Sequence, residues 1–271
     1  MERTFARTPI VTILLLLLAL IWITPFAWLV LTAVDPQASG QLGVPHAIGL
    51  DNFVNALSGS AGRQFLNSLY ISVGTATLTV LVSGIAAYPL SRIQFPGQNA
   101  LLWALVLLRM LPEAGIIVPV FFAAKNAGAL NIPGMIVTMT VLNIPFALML
   151  MKNFFDSVPI ELEEAAYVEG ASLGQILYHV VVPLSRSGVA VIWFFTFTGA
   201  WNAFLLPLIF ARTDTEFPMS VGLFTAFGQY GSINYGFLTA YSLIYAAPAI
   251  IVYFLLRRNL NTGFAGVGVK G

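Results

Sequence analysis

The chain has 271 residues, of which 58% are hydrophobic and 8% are charged, and its formal net charge is +1. A soluble domain carries about 25% charged residues, so this composition predicts a protein whose solvent is the lipid bilayer. The small net charge excludes a general attraction to nucleic acid. The absence of cysteine excludes disulfides and thiol catalysis, and two histidines far apart in sequence, His46 and His179, argue against a metal or histidine-based catalytic centre.

Six apolar segments follow one another along the chain, each near the length of about 20 residues that a helix needs to cross the hydrocarbon core. Backbone polar groups find no water inside lipid, and the alternating pattern of barrel strands is missing, so we expect helices. The predicted fold is therefore all-α and polytopic, with six transmembrane helices. The expected spans are about 10–34, 68–90, 100–123, 134–152, 185–210 and 236–256.

The basic residues indicate which ends of the spans face the cytoplasm. The first apolar run is longer than the hydrophobic region of about 7–15 residues in a signal peptide, so we expect an uncleaved first span. With the N-terminus inside, eight Lys and Arg residues lie in inner segments, three lie in outer segments, and Arg109 lies within a span. This bias follows the positive-inside rule and predicts that both termini are cytoplasmic.

An acidic segment, about 153–184, separates the fourth and fifth spans, and the orientation places it in the cytoplasm. Five of the chain's 11 acidic residues fall between Asp156 and Glu169. Helices that rest on an anionic membrane surface are usually basic, so an acidic helix here favours a protein partner. An ordinary amphipathic loop helix on the lipid headgroups is the alternative.

Local signals in this segment predict a helix, a glycine turn and a second, short helix. Pro159 suits the first turn of a helix, and the acids that follow it suit the positive end of the helix dipole. Gly170 is a natural helix stop. Ser172 and Gln175 have the spacing of a capping box.

The spacing of the same segment resembles the EAA loop of ATP-binding-cassette (ABC) importer permeases. That loop reads E-A-A-x-x-x-G, nine residues, then I-x-L-P. Here the corresponding run is Glu164-Ala165-Ala166 with Gly170, nine residues, then Val180-x-Val182-Pro183. Valine therefore stands where the motif has isoleucine and leucine, and the apolar character is kept. Four other fragments resemble the carbohydrate-uptake permeases: Asn67-Ser68-Leu69, residues 86–97, Trp201-Asn202 and residues 263–271. Within that group, the chain is most similar in type to the six-helix, MalG-like subunit.

The resemblance implies a permease subunit of a binding-protein-dependent, ATP-driven sugar importer in the bacterial inner membrane. The implied partners are a second homologous permease subunit, a dimer of cytoplasmic ATP-binding subunits and an extracytoplasmic solute-binding protein. No G-x-x-x-x-G-K-[ST] run occurs in the chain. We therefore expect no enzyme activity and no cofactor in this chain, with ATP and Mg²⁺ bound by the partner subunits.

The resemblance also assigns roles to parts of the chain, taken as one permease domain over 1–271. The loop 153–184 is the implied coupling loop for the ATPase, and the cytoplasmic tail 257–271 is implied to reach the ATPase interface through Gly268, Lys270 and Gly271. The implied ATPase-coupling residues are Glu161, Glu163, Glu164, Ala165, Ala166, Gly170, Ser172 and Pro183.

Five residues in or beside the spans are candidates for a translocation pathway. Arg109 and Glu113 are four apart, so on one helix they would share a face and pair, and charges within a membrane are costly and often functional. Asn143 is a further polar candidate, and Trp201 and Asn202 would stack on a sugar and bind its hydroxyl groups. The structural alternatives stay open: an ion pair near an interface, hydrogen bonding between helices and an interfacial tryptophan.

Other functions also stay open. The same machinery would carry another polar solute, such as glycerol phosphate or an amino sugar, because the motif carries no information about the cargo. A secondary transporter would use Arg109 and Glu113 for ion coupling. A non-transporting scaffold would recruit a cytoplasmic protein through the acidic segment.

Overall fold

Helices account for all the regular structure of the described residues, which are 9–41, 43–228 and 233–267 of a computed structural model. The predicted all-α fold is confirmed. In chain order the helices are α1 (Pro9–Ala33), α2 (Asp51–Ala56), α3 (Gly59–Arg92), α4 (Gln98–Met110), α5 (Glu113–Asn126), α6 (Ile132–Asp156), α7 (Ile160–Val168), α8 (Leu173–Ile176), α9 (Val182–Leu184), α10 (Arg186–Asn202), α11 (Leu205–Phe210), α12 (Met219–Gly228) and α13 (Tyr235–Val267), with a π-helical turn, Leu177–Val181, between α8 and α9.

Four helices in the described part of the chain are long and apolar enough to cross a membrane: α1, α3, α6 and α13. They correspond to the first, second, fourth and sixth predicted spans, so the protein is a multi-pass membrane protein. Two further crossings arise if each of two bent helix pairs counts as one span. The total of six spans therefore stays a prediction.

The predicted third span, 100–123, is not one helix. The axes of α4 and α5 differ by 101° across a short break. Pro112 causes the break, because it has no amide to donate and disfavours helical backbone at Leu111, whose ψ is 126°. The expectation that Arg109 and Glu113 share a helical face is therefore wrong, since they lie on two helices.

The predicted fifth span, 185–210, is interrupted as well. α10 ends at Asn202, Ala203 has extended backbone with a ψ of 131°, and α11 follows. In front of α10, the helical stretch Leu173–Leu184 meets it at 80°. The chain thus passes from the acidic segment into α10 through a sharp bend at Ser185.

The chain divides into two compact units, Met1–Gly62 with Leu223–Ala247 and Arg63–Gly222 with Pro248–Gly271. The single permease domain expected from the sequence stays a prediction. In the first unit, the large side chains of α1 are mostly exposed, among them Leu16 and Trp22. An apolar helix with exposed side chains on all sides is suited to contact with lipid.

Side-chain hydrogen bonds order the chain after α1. Asn52 of α2 donates from Nδ2 to the carbonyl oxygens of Ala33 and Asp35, at 3.1 and 2.9 Å. The Asp35 carboxylate accepts the backbone N–H groups of Gln37 and His46, and its Oδ2 lies 3.1 Å from Nδ1 of the His46 ring. These hydrogen bonds, with Gln37 contributing most and the His46 ring next, hold the pKa of Asp35 below its ordinary value. The ionised carboxylate therefore stabilises this loop at neutral pH, and that contribution is lost as the pH falls through the lowered pKa.

Two apolar clusters fill the second unit. The first contains Ile71 of α3, Met139 of α6 and Leu206 of α11. The second brings α3, α6 and α10 together with the turns of the acidic segment, and includes the fully buried Phe155 and Ile176. The acidic segment is thereby packed onto the spanning helices.

Gly188 and Gly199 give a matched test of the packing of α10. A Cβ at Gly188 would collide with the ring of Phe154 in α6, whereas a Cβ at Gly199 meets nothing within 4 Å. We expect Gly188→Ala to lower the free energy of unfolding by about 1–3 kcal/mol, and Gly199→Ala to be neutral or to raise it by up to about 1 kcal/mol. Thermal unfolding in detergent measures both variants, and equal effects would contradict this packing.

Candidate functional site

The acidic segment begins with α7, which carries acidic residues at its N-terminal end. Pro159 precedes the helix with a ψ of 130°, and Glu161 and Glu163 stand in the first turn, where the positive end of the helix dipole favours them. The helix is followed by Gly170, whose φ of +89° is a conformation that L side chains rarely adopt. The predicted helix and glycine turn are confirmed.

The short helix α8 begins with the predicted capping box. The N–H of Gln175 donates to Ser172 Oγ at 3.4 Å, and the N–H of Ser172 donates to Gln175 Oε1 at 2.8 Å. These reciprocal bonds satisfy amides that the start of a helix leaves unpaired. The π-helical turn and α9 follow, with Pro183 in the first turn of α9. The segment is therefore a set of capped helical pieces and not an irregular loop.

The residues expected to couple to an ATPase differ in their exposure. Glu163 is 6% exposed, and its carboxylate accepts hydrogen bonds from Arg92 Nε at 2.8 Å and from Tyr88 Oη at 2.9 Å, both in α3. Its acidic neighbours Glu161 and Glu164 are exposed. The other expected coupling residues are exposed (Ala165, Gly170, Ser172, Pro183) or half-buried (Ala166). The Glu163 carboxylate thus binds Arg92 and Tyr88 of α3, whereas Glu161 and Glu164 carry the exposed charge of α7.

A shallow groove of about 360 Å³ opens between α7 and α8. Small residues, including Ala166 and Gly170, leave the groove open to an approaching partner, as the sequence indicated. Three polar residues that were not predicted as site residues also line it: Glu169, Gln175 and His179. Glu169 belongs to the acidic run and Gln175 to the capping box, but no local pattern indicates that these residues and His179 line one groove. The turn at Gly170 brings them together by placing α7 beside α8.

A cavity of about 600 Å³ in the second unit brings together three of the five pathway candidates. Arg109 at the end of α4, Glu113 at the start of α5 and Asn143 in α6 all line it. The Arg109 guanidinium carbon lies 5.6 Å from the centroid of the Phe146 ring, and the described structure contains no ion pair between Arg109 and Glu113. A cation, an anion and an amide in a mostly apolar cavity are the groups with which a protein orients a polar ligand.

Trp201 and Asn202 do not line this cavity. Trp201 is 1% exposed, with its ring centroid 5.8 Å from that of Phe197 in a stacked arrangement and 6.1 Å from that of Phe65, edge-on. Asn202 lies at the end of α10 and donates from Nδ2 to the carbonyl oxygen four residues earlier. In α10 the cavity wall includes Ala200 and the glycine before it. In this conformation Trp201 packs helices together and does not face the cavity.

The remaining candidates belong to the C-terminal tail. Gly268, Lys270 and Gly271 lie outside the described residues, which end at Val267. Their contact with an ATPase interface stays a prediction.

Several membrane-spanning helices, a cavity between helices and a capped helical segment at the surface together define a multi-pass membrane protein of the permease class. Residues 79–265 match the model of the family described as binding-protein-dependent transport system inner membrane component. The chain belongs to this family. The matched region contains the acidic segment and the cavity residues.

Two relatives and one solved structure show how far the similarity extends. The diacetylchitobiose uptake system permease protein NgcG of Streptomyces coelicolor is 31% identical, over 96% of this chain and 87% of its own length. The galactooligosaccharides transport system permease protein GanQ of Bacillus subtilis is 28% identical, over 99% of this chain and 98% of its own length. A chain of a bacterial ABC transporter involved in the import of the acidic polysaccharide alginate shares the fold, with a TM-score of 0.81 at 21% identity over 93% of this chain and 95% of that chain.

Truncation of Trp201 tests its role in packing. We expect Trp201→Ala to lower the free energy of unfolding by about 3–5 kcal/mol, because it empties a fully buried site. Trp193 on the same helix is half-buried, and its ring centroid lies 5.2 Å from that of Phe197 in a stacked arrangement. Trp193→Ala should therefore lower the free energy of unfolding clearly less than Trp201→Ala. Thermal unfolding in detergent compares the two variants, and a smaller loss for Trp201→Ala than for Trp193→Ala would contradict the packing role.

Proposed function

We propose that this chain is a transmembrane permease subunit of an ATP-driven, binding-protein-dependent importer whose cargo is a sugar. The observation that carries the proposal is the segment from α7 to α8, which is exposed, acidic, capped at Ser172 and packed onto the spanning helices through Phe155 and Ile176. An acidic helix beside a low groove is complementary to a partner with a positive, donor-rich cleft. The diacetylchitobiose and galactooligosaccharides named for the two relatives support a sugar as cargo.

The proposal places α7 and α8 in the cytoplasm, together with both termini, because the positive-inside bias puts 153–184 there. A dimer of ATP-binding subunits docks on this face and holds ATP and Mg²⁺. A second, homologous permease completes the channel, and an extracytoplasmic binding protein delivers the solute. The tail residues Gly268, Lys270 and Gly271 reach the ATPase interface.

Coupling then follows from the connections of α7. ATP binding closes the ATPase dimer and displaces the docked helix. The displacement passes to α6 through residues 157–159, and to α10 through α8, the π-helical turn and α9. Because the segment shares an apolar cluster with α6 and α10, it moves with these helices, and the cavity alternates between the two sides of the membrane.

The cavity residues are the proposed contacts of the solute. Asn143 supplies an amide for sugar hydroxyl groups, and Arg109 and Glu113 supply charged hydrogen-bonding groups at the bend between α4 and α5. The same two charges favour a second candidate function, a secondary transporter that couples a solute to an ion. In that case Glu113 would carry the transported proton.

Gentle purification of the tagged chain in mild detergent separates the two candidates. We expect a second permease and two ATP-binding chains to copurify, and proteoliposomes of the complex to accumulate a labelled oligosaccharide only with ATP and its loaded binding protein. Purification of the chain alone, with uptake driven by a proton gradient and abolished by Glu113→Gln, would contradict the importer and establish the secondary transporter.

Gly170 and Gly174 give a matched test of the coupling segment. Neither position has an atom within 4 Å of an added Cβ, but Gly170 alone of the two has a positive φ. Gly170→Ala therefore strains the turn by roughly 1–2 kcal/mol, and we expect solute-stimulated ATP hydrolysis in proteoliposomes to fall by roughly tenfold. Gly174→Ala should leave it unchanged, and equal rates for the two variants would contradict a role for the turn.

A further inference from the structure

Arg92, the last residue of α3, binds three parts of the chain at once. Its Nε and Nη2 donate to Glu163 Oε1 of α7, at 2.8 and 2.5 Å. Nη2 also donates to the carbonyl oxygens of Phe155 in α6 and Val158 in the turn before α7, at 3.0 and 3.2 Å. One guanidinium therefore joins the end of α3, the end of α6 and the start of α7.

Both members of this ion pair are largely shielded from water. The side chains of Arg92 and Glu163 are 14% and 7% exposed, and Tyr88 Oη donates to the second carboxylate oxygen. Charge-assisted hydrogen bonds are about twice as strong as neutral ones, and removal of one partner would leave a buried charge uncompensated. The pair Lys152–Asp156, in contrast, joins two residues of α6 and is more exposed, at 19% and 38%.

We propose that Arg92 is a positioning residue that makes α3 and α7 one rigid element, so that α3 moves with α7 when the ATPase displaces it. The inference rests on the proposed docking of α7. Helices α6 and α10 are joined to α7 by short stretches of chain, but Glu163 lies 71 residues from Arg92 in sequence. The ion pair, with the Tyr88–Glu163 hydrogen bond beside it, is therefore a direct connection between α3 and α7.

Helix α3 leads from this connection to the cavity wall. It is a continuous helix of 34 residues, and its Ile71 packs in the cluster that contains Met139, Ala200 and Leu206. These last three residues line the cavity with Arg109 and Asn143. A displacement of α3 at Arg92 thus reaches the cavity through packed side chains, independently of the covalent paths through α6 and α10.

Uptake in proteoliposomes that contain the complete complex and its loaded binding protein tests the proposal. Glu163→Gln and Arg92→Gln each break the pair, and we expect the ATPase subunits to copurify as in the wild type while solute taken up per ATP hydrolysed falls roughly 5- to 150-fold. Lys152→Gln, the matched control, should keep this ratio within about twofold.

Two outcomes of this experiment would overturn the proposal. An unchanged ratio in both variants would show that the pair transmits nothing. Loss of ATPase binding in Glu163→Gln would show that the carboxylate acts in docking and not in transmission. If the wild-type complex itself contains no ATPase, the proposed function fails, and this result is distinct from either outcome.

A distance measurement tests whether α3 and α7 move as one rigid element without altering Arg92 or Glu163. The test therefore remains possible even if the variants of these two residues do not fold. The chain has no cysteine, so Ile85→Cys on α3 and Val168→Cys on α7, which are 69% and 86% exposed, each take one spin label. The labelled complexes are first shown to hydrolyse ATP. We then expect the distance between the labels to be the same in the nucleotide-free and the ATP-bound state. A nucleotide-dependent change in this distance would overturn the proposal.

Discussion

The buried ion pair between Arg92 and Glu163 determines how the acidic segment is held against the spanning helices. A polar segment at the surface of an apolar protein needs only solvent to satisfy its charges. Here one carboxylate of α7 turns inward instead, and the guanidinium that binds it also binds the carbonyl oxygens of Phe155 and Val158. Together with the packing of Ile176, this network makes the segment a stiff part of the bundle. The proposed transmission of ATPase motion through the segment depends on that stiffness.

The bilayer imposes the second constraint on the molecule. Backbone groups freed by a broken helix must be buried in protein or line a cavity, because lipid offers no hydrogen bonds. The break at Pro112 meets this requirement, since the cavity lies beside it and both flanking helices contribute to its wall. The same proline separates Arg109 from Glu113 and leaves both charges at the cavity. Pro112 thus bends the chain between α4 and α5 and leaves two charged side chains at the cavity.

The features that could be predicted from the sequence are those set by nearby residues. Helix α7, the turn at Gly170 and the cap of Ser172 on α8 depend on a few positions each, and the apolar runs are long enough to mark the spanning helices. The direction of Glu163 could not be predicted, because it depends on a residue 71 positions away. The burial of Trp201 likewise depends on rings from other turns and helices. For Arg109 and Glu113 the spacing indicated one face, but the restriction that Pro112 places on Leu111 outweighed it.

A structure of the purified complex in its ATP-bound state, determined by electron cryomicroscopy, tests the proposed role of the acidic segment most directly. We expect the exposed face of α7, with Glu161, Glu164 and Ala165, to lie in a cleft of one ATP-binding subunit while Glu163 remains bound to Arg92. A complex in which α7 contacts only lipid or solvent, with the ATP-binding subunits held elsewhere, would contradict the proposed coupling.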